Sequence, residues 1–246
     1  MTFRFLSILS CLLFSVSTMH SQDITDPKET EVWEPEPTVV KPGTTNSAPP
    51  SDAIVLFDGS NGAQWTHEDG SDIKWTIANG IITVLPGTGP IMTKESFGDC
   101  QLHIECSSPV EPKRVGQDKG NSGIFFQEKY EIQVLNSFEN RTYSNGQAGS
   151  IYKQNPPLVN AMRQPTQWNT YDIIFHAPKF DEKGIKIKSA TITAIHNGVL
   201  IQDNFEIQGT TEYIGPPKSI AHGDGPLVLQ DHSNPVRYRN IWIREL

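Results

Sequence analysis

GNSGIFFQEKYEIQVLNSFENRTYSNGQAGSIYKQNPPLVNAMRQPTQWNTYDIIFHAP, residues 120–178, carries the pattern that decides the fold. Two short runs rich in β-branched and aromatic residues, 123–127 and 130–135, follow each other closely, and a third, 170–176, comes after a long polar connection. Runs of this length bounded by Gly, Pro, Asn and Asp predict strands. Working outward, the same signal recurs at 53–57, 73–77, 80–85, 100–106, 190–196, 198–202, 226–230 and 236–244, and almost no stretch holds a helical period for three turns. Asn79-Gly80 and Asn197-Gly198 predict hairpin turns, because both residue types tolerate positive φ. Eleven short strands in one domain indicate an all-β sandwich or barrel, and the long connections favour a two-sheet jelly-roll sandwich.

The ends of the chain read differently. Residues 1–21 predict an export signal: Arg4 leads an apolar run over 5–16, a small-residue stretch follows, and cleavage is expected after Ser21. That run is shorter than the about 20 apolar residues a membrane span needs. A membrane anchor and a lipoprotein signal ending at Cys11 are the alternatives, and Leu9 fits the second poorly. Residues 22–51 predict a linker, since Pro27, Pro35, Pro37, Pro42, Pro49 and Pro50 stand among acids, Thr and Ser that bury little. The folded domain is expected over 52–246, an exported protein of the periplasm, cell surface or medium. Loss of Arg4 with the signal moves the net charge from −8 to −9. An acidic chain without a Lys/Arg cluster is a poor binder of nucleic acid or of anionic membranes. The two cysteines left, Cys100 and Cys106, share one strand, where six residues separate them by about 20 Å, so two unpaired thiols are expected.

The chemistry is concentrated in 120–178. Alternation puts Glu131 and Gln133 on one face of their strand, opposite Ile132 and Val134. On the strand 170–176, Asp172 and His176 share the face opposite Tyr171, Ile173 and Phe175. If these strands are neighbours, the four polar residues form a floor, and the loop between them offers Lys153, Asn155, Arg163 and Trp168. Each has a bland alternative: a solvated Glu131, a structural His176, surface charges at Lys153 and Arg163, a core Trp168. A tryptophan at a groove edge also makes a platform for a sugar ring. Retaining glycosidases of the laminarinase-like jelly roll carry carboxylates along one strand, about 5–5.5 Å apart. Here Gln133 and Asn136 hold the matching places, and amides serve neither role. The strand keeps one acid, which leaves sugar binding alone or cleavage by other chemistry. Motifs of serine hydrolases, dinucleotide or phosphate binding and zinc peptidases are absent. No cofactor is demanded, and a divalent cation held by Glu, Asp, His and Asn from distant strands is left open.

At these residues the chain resembles the 3-keto-disaccharide hydrolase family of exported Bacteroidetes and Planctomycetes proteins. The resemblance rests on LFDGSNGAQW (56–65), WTIANGIITV (75–84), GNSGIFFQ (120–127), YEIQVLNSFENRTYSNGQAGSIY (130–152) and LQDHSNPVRYRNIWIREL (229–246), in that order across nearly all of 52–246. It departs at Asn136, where the family usually reads Asp. The resemblance implies a concanavalin-like jelly roll acting on sugars whose 3-hydroxyl a separate partner oxidoreductase has oxidised. A C3 ketone acidifies the C2 proton, so one base suffices for β-elimination of the C1 aglycone, and hydration completes the hydrolysis. The expected catalytic residues are Glu131 as base, Lys153 beside the developing enolate, and His176 as an alternative base. Gln133, Asn136, Arg163, Trp168, Asp172 and His232 are the expected contacts to the sugar. A carbohydrate-binding module, without a base, is the rival function.

Overall fold

The structure is a computed structural model that describes residues 25–111 and 113–246. The expected export signal lies outside the described residues. Two units follow. Residues 25–39 form a short segment in which a single 3₁₀ turn, Pro27–Thr30, is capped by Asp26. The second unit runs from Val40 to Leu246. It therefore begins before the boundary expected at 52.

Among the described residues there are fifteen strands: β1 (Ile54–Phe57), β2 (Trp65–Thr66), β3 (Thr76–Ala78), β4 (Ile81–Thr83), β5 (Ile91–Phe97), β6 (Cys100–Ser107), β7 (Ser122–Phe126), β8 (Tyr130–Val134), β9 (Asn169–His176), β10 (Lys179–Phe180), β11 (Lys186–Lys188), β12 (Thr191–His196), β13 (Val199–Glu206), β14 (Gly225–Leu229) and β15 (Arg237–Glu245). One antiparallel sheet has the order β13-β12-β9-β6-β15-β4-β3, with β1 also paired to β15. The other is β2-β5-β14-β7-β8, and β10-β11 is a separate ribbon. This is the two-sheet jelly-roll sandwich expected. Both Asn-Gly pairs make the predicted turns with positive φ at both residues, linking β3 to β4 and β12 to β13. Strand β5 carried no legible signal, because Lys94, Glu95 and Ser96 interrupt its alternation with three exposed positions in a row.

The core lies between the sheets. Ile124, Phe126, Ile132 and Leu229 of one meet Leu102, Ile104, Ile173 and Phe175 of the other. Phe126 stacks on Phe175 with ring centroids 4.6 Å apart. Tyr238 Oη crosses the interface to donate to Ser122 Oγ at 2.7 Å, so its buried hydroxyl is satisfied. Cys100 and Cys106 are free and buried, and burial pushes both thiols up to about 12.

The proline-rich stretch is not all linker. The Ser47 carbonyl accepts from Asn240 Nδ2 at 2.9 Å and Trp242 Nε1 at 3.0 Å, and Asp52 pairs with Arg244 at 2.7 Å. A chain starting at Asp52 therefore leaves the Asn240 and Trp242 donors without that carbonyl. Each lost bond costs about 1 kcal/mol, and for a domain of this size about 2–4 °C accompanies each kcal/mol. Calorimetry should find its melting temperature several degrees below that of a chain starting at Val40.

Candidate active site

The site is built on β8, the edge strand of the five-stranded sheet. An exposed strand edge invites unwanted pairing, and here two loops cover it. Residues 149–152 lie alongside: Gln133 N donates to the Ser150 carbonyl at 2.9 Å, Gly149 N to the Gln133 carbonyl at 2.8 Å, and Tyr152 N to the Glu131 carbonyl at 3.2 Å. The connection 207–224 is pinned to the same strand, since Glu131 N donates to Thr211 Oγ1 at 2.9 Å and Thr211 N to the Lys129 carbonyl at 2.7 Å. These loops raise aromatic walls, Tyr152 and Tyr213, over the sheet face that points away from the core. Between them lies a cavity of about 300 Å³. Phe125, Glu131, Gln133, Gln230 and Asn121 line it, and His232 stands exposed at its side.

Glu131 is the only carboxyl among the described residues that lines the cavity. It is 4 % exposed, and burial pushes its pKa up to about 8. Gly123, directly across from Gln133 in the ladder, makes room for it. A Cβ at Gly123 would stand 2.5 Å from Glu131 Oε1 and 2.7 Å from Phe125 Cε2. The carboxyl thus occupies the space a side chain would fill. Its neighbour is an amide relay. Gln117 Nε2 donates to Thr142 Oγ1 at 3.0 Å and the Gly146 carbonyl at 2.8 Å, so Gln117 Oε1 is free to accept from Gln133 Nε2 at 3.1 Å. The Gln133 amide oxygen then faces Glu131 Oε1 at 3.0 Å, and neutral Glu131 donates its proton across that gap. Once ionised, Glu131 is best served by the amide turned over, with its NH₂ donating to Oε1 at 3.0 Å and to the Ser122 carbonyl at 3.2 Å. In that orientation the Gln133 oxygen lies 3.1 Å from Gln117 Oε1, so the Gln117 amide must turn with it.

Of the residues expected at the site, the structure brings together Glu131, Gln133 and His232. Lys153 stands just outside. It has positive φ, its Nζ donates to the Tyr213 carbonyl, and it lies 4.3 Å from the Tyr213 ring and 5.6 Å from that of Tyr152. Its contacts brace the aromatic walls and do not line the cavity. Asn136 is fully buried beyond the end of β8, where Oδ1 caps a turn by accepting from Phe138 N at 3.2 Å. Arg163 donates to the Trp168 carbonyl at 2.7 Å, and the Trp168 ring packs under Arg239 and Arg237 at 4.1 and 5.6 Å. The floor expected from Glu131, Gln133, Asp172 and His176 does not form, because β8 and β9 belong to different sheets. Asp172 pairs with His103 at 2.6 Å, and His176 with Asp99 at 3.1 Å. His103 loses charge stability by burial but gains more from Asp172 and Glu105, which raise it to about 9.

Tyr152, Thr211, Tyr213, Gln230 and Asn121 were not singled out in the sequence. Asn121 and Tyr152 lie in the stretch 120–178 where the chemistry was expected, whereas for Thr211 and Tyr213 the signal was the Gly- and Pro-bounded gap between the strands at 198–202 and 226–230. As for the divalent cation, the cavity offers Glu131 and His232, and no group of three His, Cys, Asp or Glu side chains converges among the described residues. No described helix is long and apolar enough to cross a membrane.

The chain is thus a two-sheet jelly roll with one buried acid in a walled cleft, and the comparisons place it among glycosyl-hydrolase-like β-sandwich proteins. Residues 52–244 match the family model of the 3-keto-alpha-glucoside-1,2-lyase-like domain. The chain is 49% identical to a "putative glycosyl hydrolase" from Parabacteroides distasonis, covering 90% of this chain and 97% of that one with a TM-score of 0.86. Two further structures from that organism carry the same description, at 19% identity, with TM-scores of 0.58 and 0.55 over 79% of this chain. They cover 94% and 99% of their own chains and show the fold alone. No curated protein matches. The chain belongs to the 3-keto-alpha-glucoside-1,2-lyase-like family.

Proposed function

We propose that this protein cleaves 3-keto-glycosides by elimination, with Glu131 as the base. The observation that carries the reading is the lone carboxyl. Among the described residues the cavity holds Glu131 and no second acid to complete a retaining or inverting pair. In the elimination, the Glu131 carboxylate takes the C2 proton and the C2–H electrons pass to the C3 carbonyl as an enolate. The enolate returns its electrons to form the C1–C2 double bond as the C1–O bond breaks. The aglycone oxygen takes up a proton and leaves as an alcohol. Water then adds across C1=C2 and restores the 3-keto sugar. A base with its pKa near 8 is matched to an acidified carbon acid at neutral pH. Gln133 orients the carboxyl, and His232 is the cavity residue that can carry positive charge beside the enolate oxygen. Tyr152 and Tyr213 offer ring faces to the sugar.

The expected leader supports a reaction outside the cytoplasm, in the periplasm, at the cell surface or in the medium, downstream of a sugar oxidoreductase that makes the ketone. The test is to incubate the intact protein with a 3-keto-glucoside and with its unoxidised parent. Aglycone release from the first only is expected, because the parent has no acidic C2 proton. Robust turnover of the parent would sink the elimination, and binding of both without turnover would make the protein a carbohydrate-binding module. Loss of turnover in chelator would show that a cation joins Glu131 and His232.

A further inference from the structure

The cleft does not end at Phe125. Ladder register places Glu131 opposite Phe125, Phe125 opposite Val228, and Val228 opposite Met92. Residues directly paired across antiparallel strands point to one face. The four side chains therefore form a single row across β8, β7, β14 and β5. With strands about 4.8 Å apart, the row runs roughly 14 Å away from the base. Above it lies a second cavity of about 300 Å³. It shares Phe125 and Gln230 with the first, so the two are adjacent.

The chemistry changes along the row. The floor beyond Glu131 is Phe125, Val228, Met92 and Pro90, with no side-chain hydrogen-bonding group. Glu68 and Glu128 stand exposed at the rim. A ring seated there meets apolar carbon below, and its polar groups reach only Gln230, Glu68 and Glu128 at the edge. A flat apolar ring loses water from its face and gains the Met92 thioether and the Phe125 ring. The rim carboxylates repel an anion and accept hydrogen bonds from phenolic or amino groups.

We infer that this second cavity is the aglycone subsite and that it takes an uncharged or cationic aromatic group. The assignment of the first cavity to the 3-keto sugar is the reading proposed above, and this inference rests on it. Cleavage at C1 then releases an aromatic alcohol along the apolar row.

Benzyl and methyl 3-keto-glucosides separate the aglycone's binding from its leaving ability, because both leave as simple alkyl alcohols. The intact protein should show a kcat/KM at least about tenfold higher for the benzyl compound, since burial of a phenyl ring supplies that much. The preference should lie in KM, and 4-carboxybenzyl should forfeit it. Met92→Gln and Val228→Asn should each bring the benzyl-to-methyl ratio towards one, and Met92→Leu should keep it. Equal kcat/KM for the two compounds, or a ratio that survives both polar variants, overturns the subsite. If neither compound turns over, the elimination fails but the subsite is still decided by calorimetry with unoxidised benzyl and methyl glucosides. Tenfold tighter binding of the benzyl glucoside supports it, and equal affinity refutes it.

Discussion

Glu131→Gln is expected to abolish most turnover of a 3-keto-glycoside, by about 10²–10⁴-fold, while making the protein more stable in alkaline solution. The two effects share one cause. The folded state holds the Glu131 proton up to about pH 8, whereas the ordinary carboxyl releases it near 4.5. Between those values the folded protein binds a proton that the unfolded chain does not. Stability therefore falls as pH rises through that window and levels off above about 8. Each unit of pKa difference is worth about 1.4 kcal/mol, so ionising Glu131 in place costs roughly 5 kcal/mol in all. A glutamine has no proton to lose, and its amide NH₂ can donate to the Gln133 oxygen that neutral Glu131 serves. Thermal unfolding at pH 5 and pH 9 should give similar melting temperatures for the two proteins at the lower pH. At the higher pH the variant should melt several degrees above the wild type. Activity of the wild type should rise about tenfold per unit below pH 8 and then flatten, since only the carboxylate is a base. A variant with turnover intact would move the base elsewhere. His232 is then the candidate, because His176 lies on the other sheet beside Asp99.

Gly123→Ala should also be severe, although it adds one methyl group and removes no catalytic atom. The new Cβ meets the Glu131 carboxyl on one side and the Phe125 ring on the other. Overpacking of this kind costs about 1–3 kcal/mol of stability, and a carboxyl displaced by about 1 Å costs about 10²-fold in rate. The loss should appear in kcat, with a smaller change in KM, because the cavity walls at Tyr152 and Tyr213 are untouched. A Gly123→Ala protein that folds, binds the sugar and turns over normally would show that the carboxyl's placement over Gly123 is not the reactive one.

Much of this was legible along the chain, and the boundary between legible and hidden is physical. Strand alternation is a local property. It placed Glu131 and Gln133 together on the face opposite Ile132 and Val134, and marked both Asn-Gly turns. The missing second carboxylate could be read directly from Gln133 and Asn136. Alternation says nothing about which sheet a strand joins. Asp172 and His176 were correctly set opposite Tyr171, Ile173 and Phe175, yet β9 lies in the eight-stranded sheet and turns them away from Glu131. The long polar connection between the strands 130–135 and 170–176 was marked as a source of site residues, but not which of its residues reach the cleft. Tyr152 gets there because Tyr152 N pairs with the Glu131 carbonyl, while Arg163 donates to the Trp168 carbonyl and the Trp168 ring packs on the arginines of β15.

The sequence by itself determined the all-β class, the hairpin turns, the unpaired cysteines and the single acid on its strand, because each depends on neighbours within a few residues. Only the tertiary structure decided that Glu131 is buried with a raised pKa, that Gly123 clears its place, and that Phe125, Val228 and Met92 extend the row beside it. Those properties arise from strands that are distant in sequence and adjacent in the ladder, and register is set by the packing of the whole sandwich.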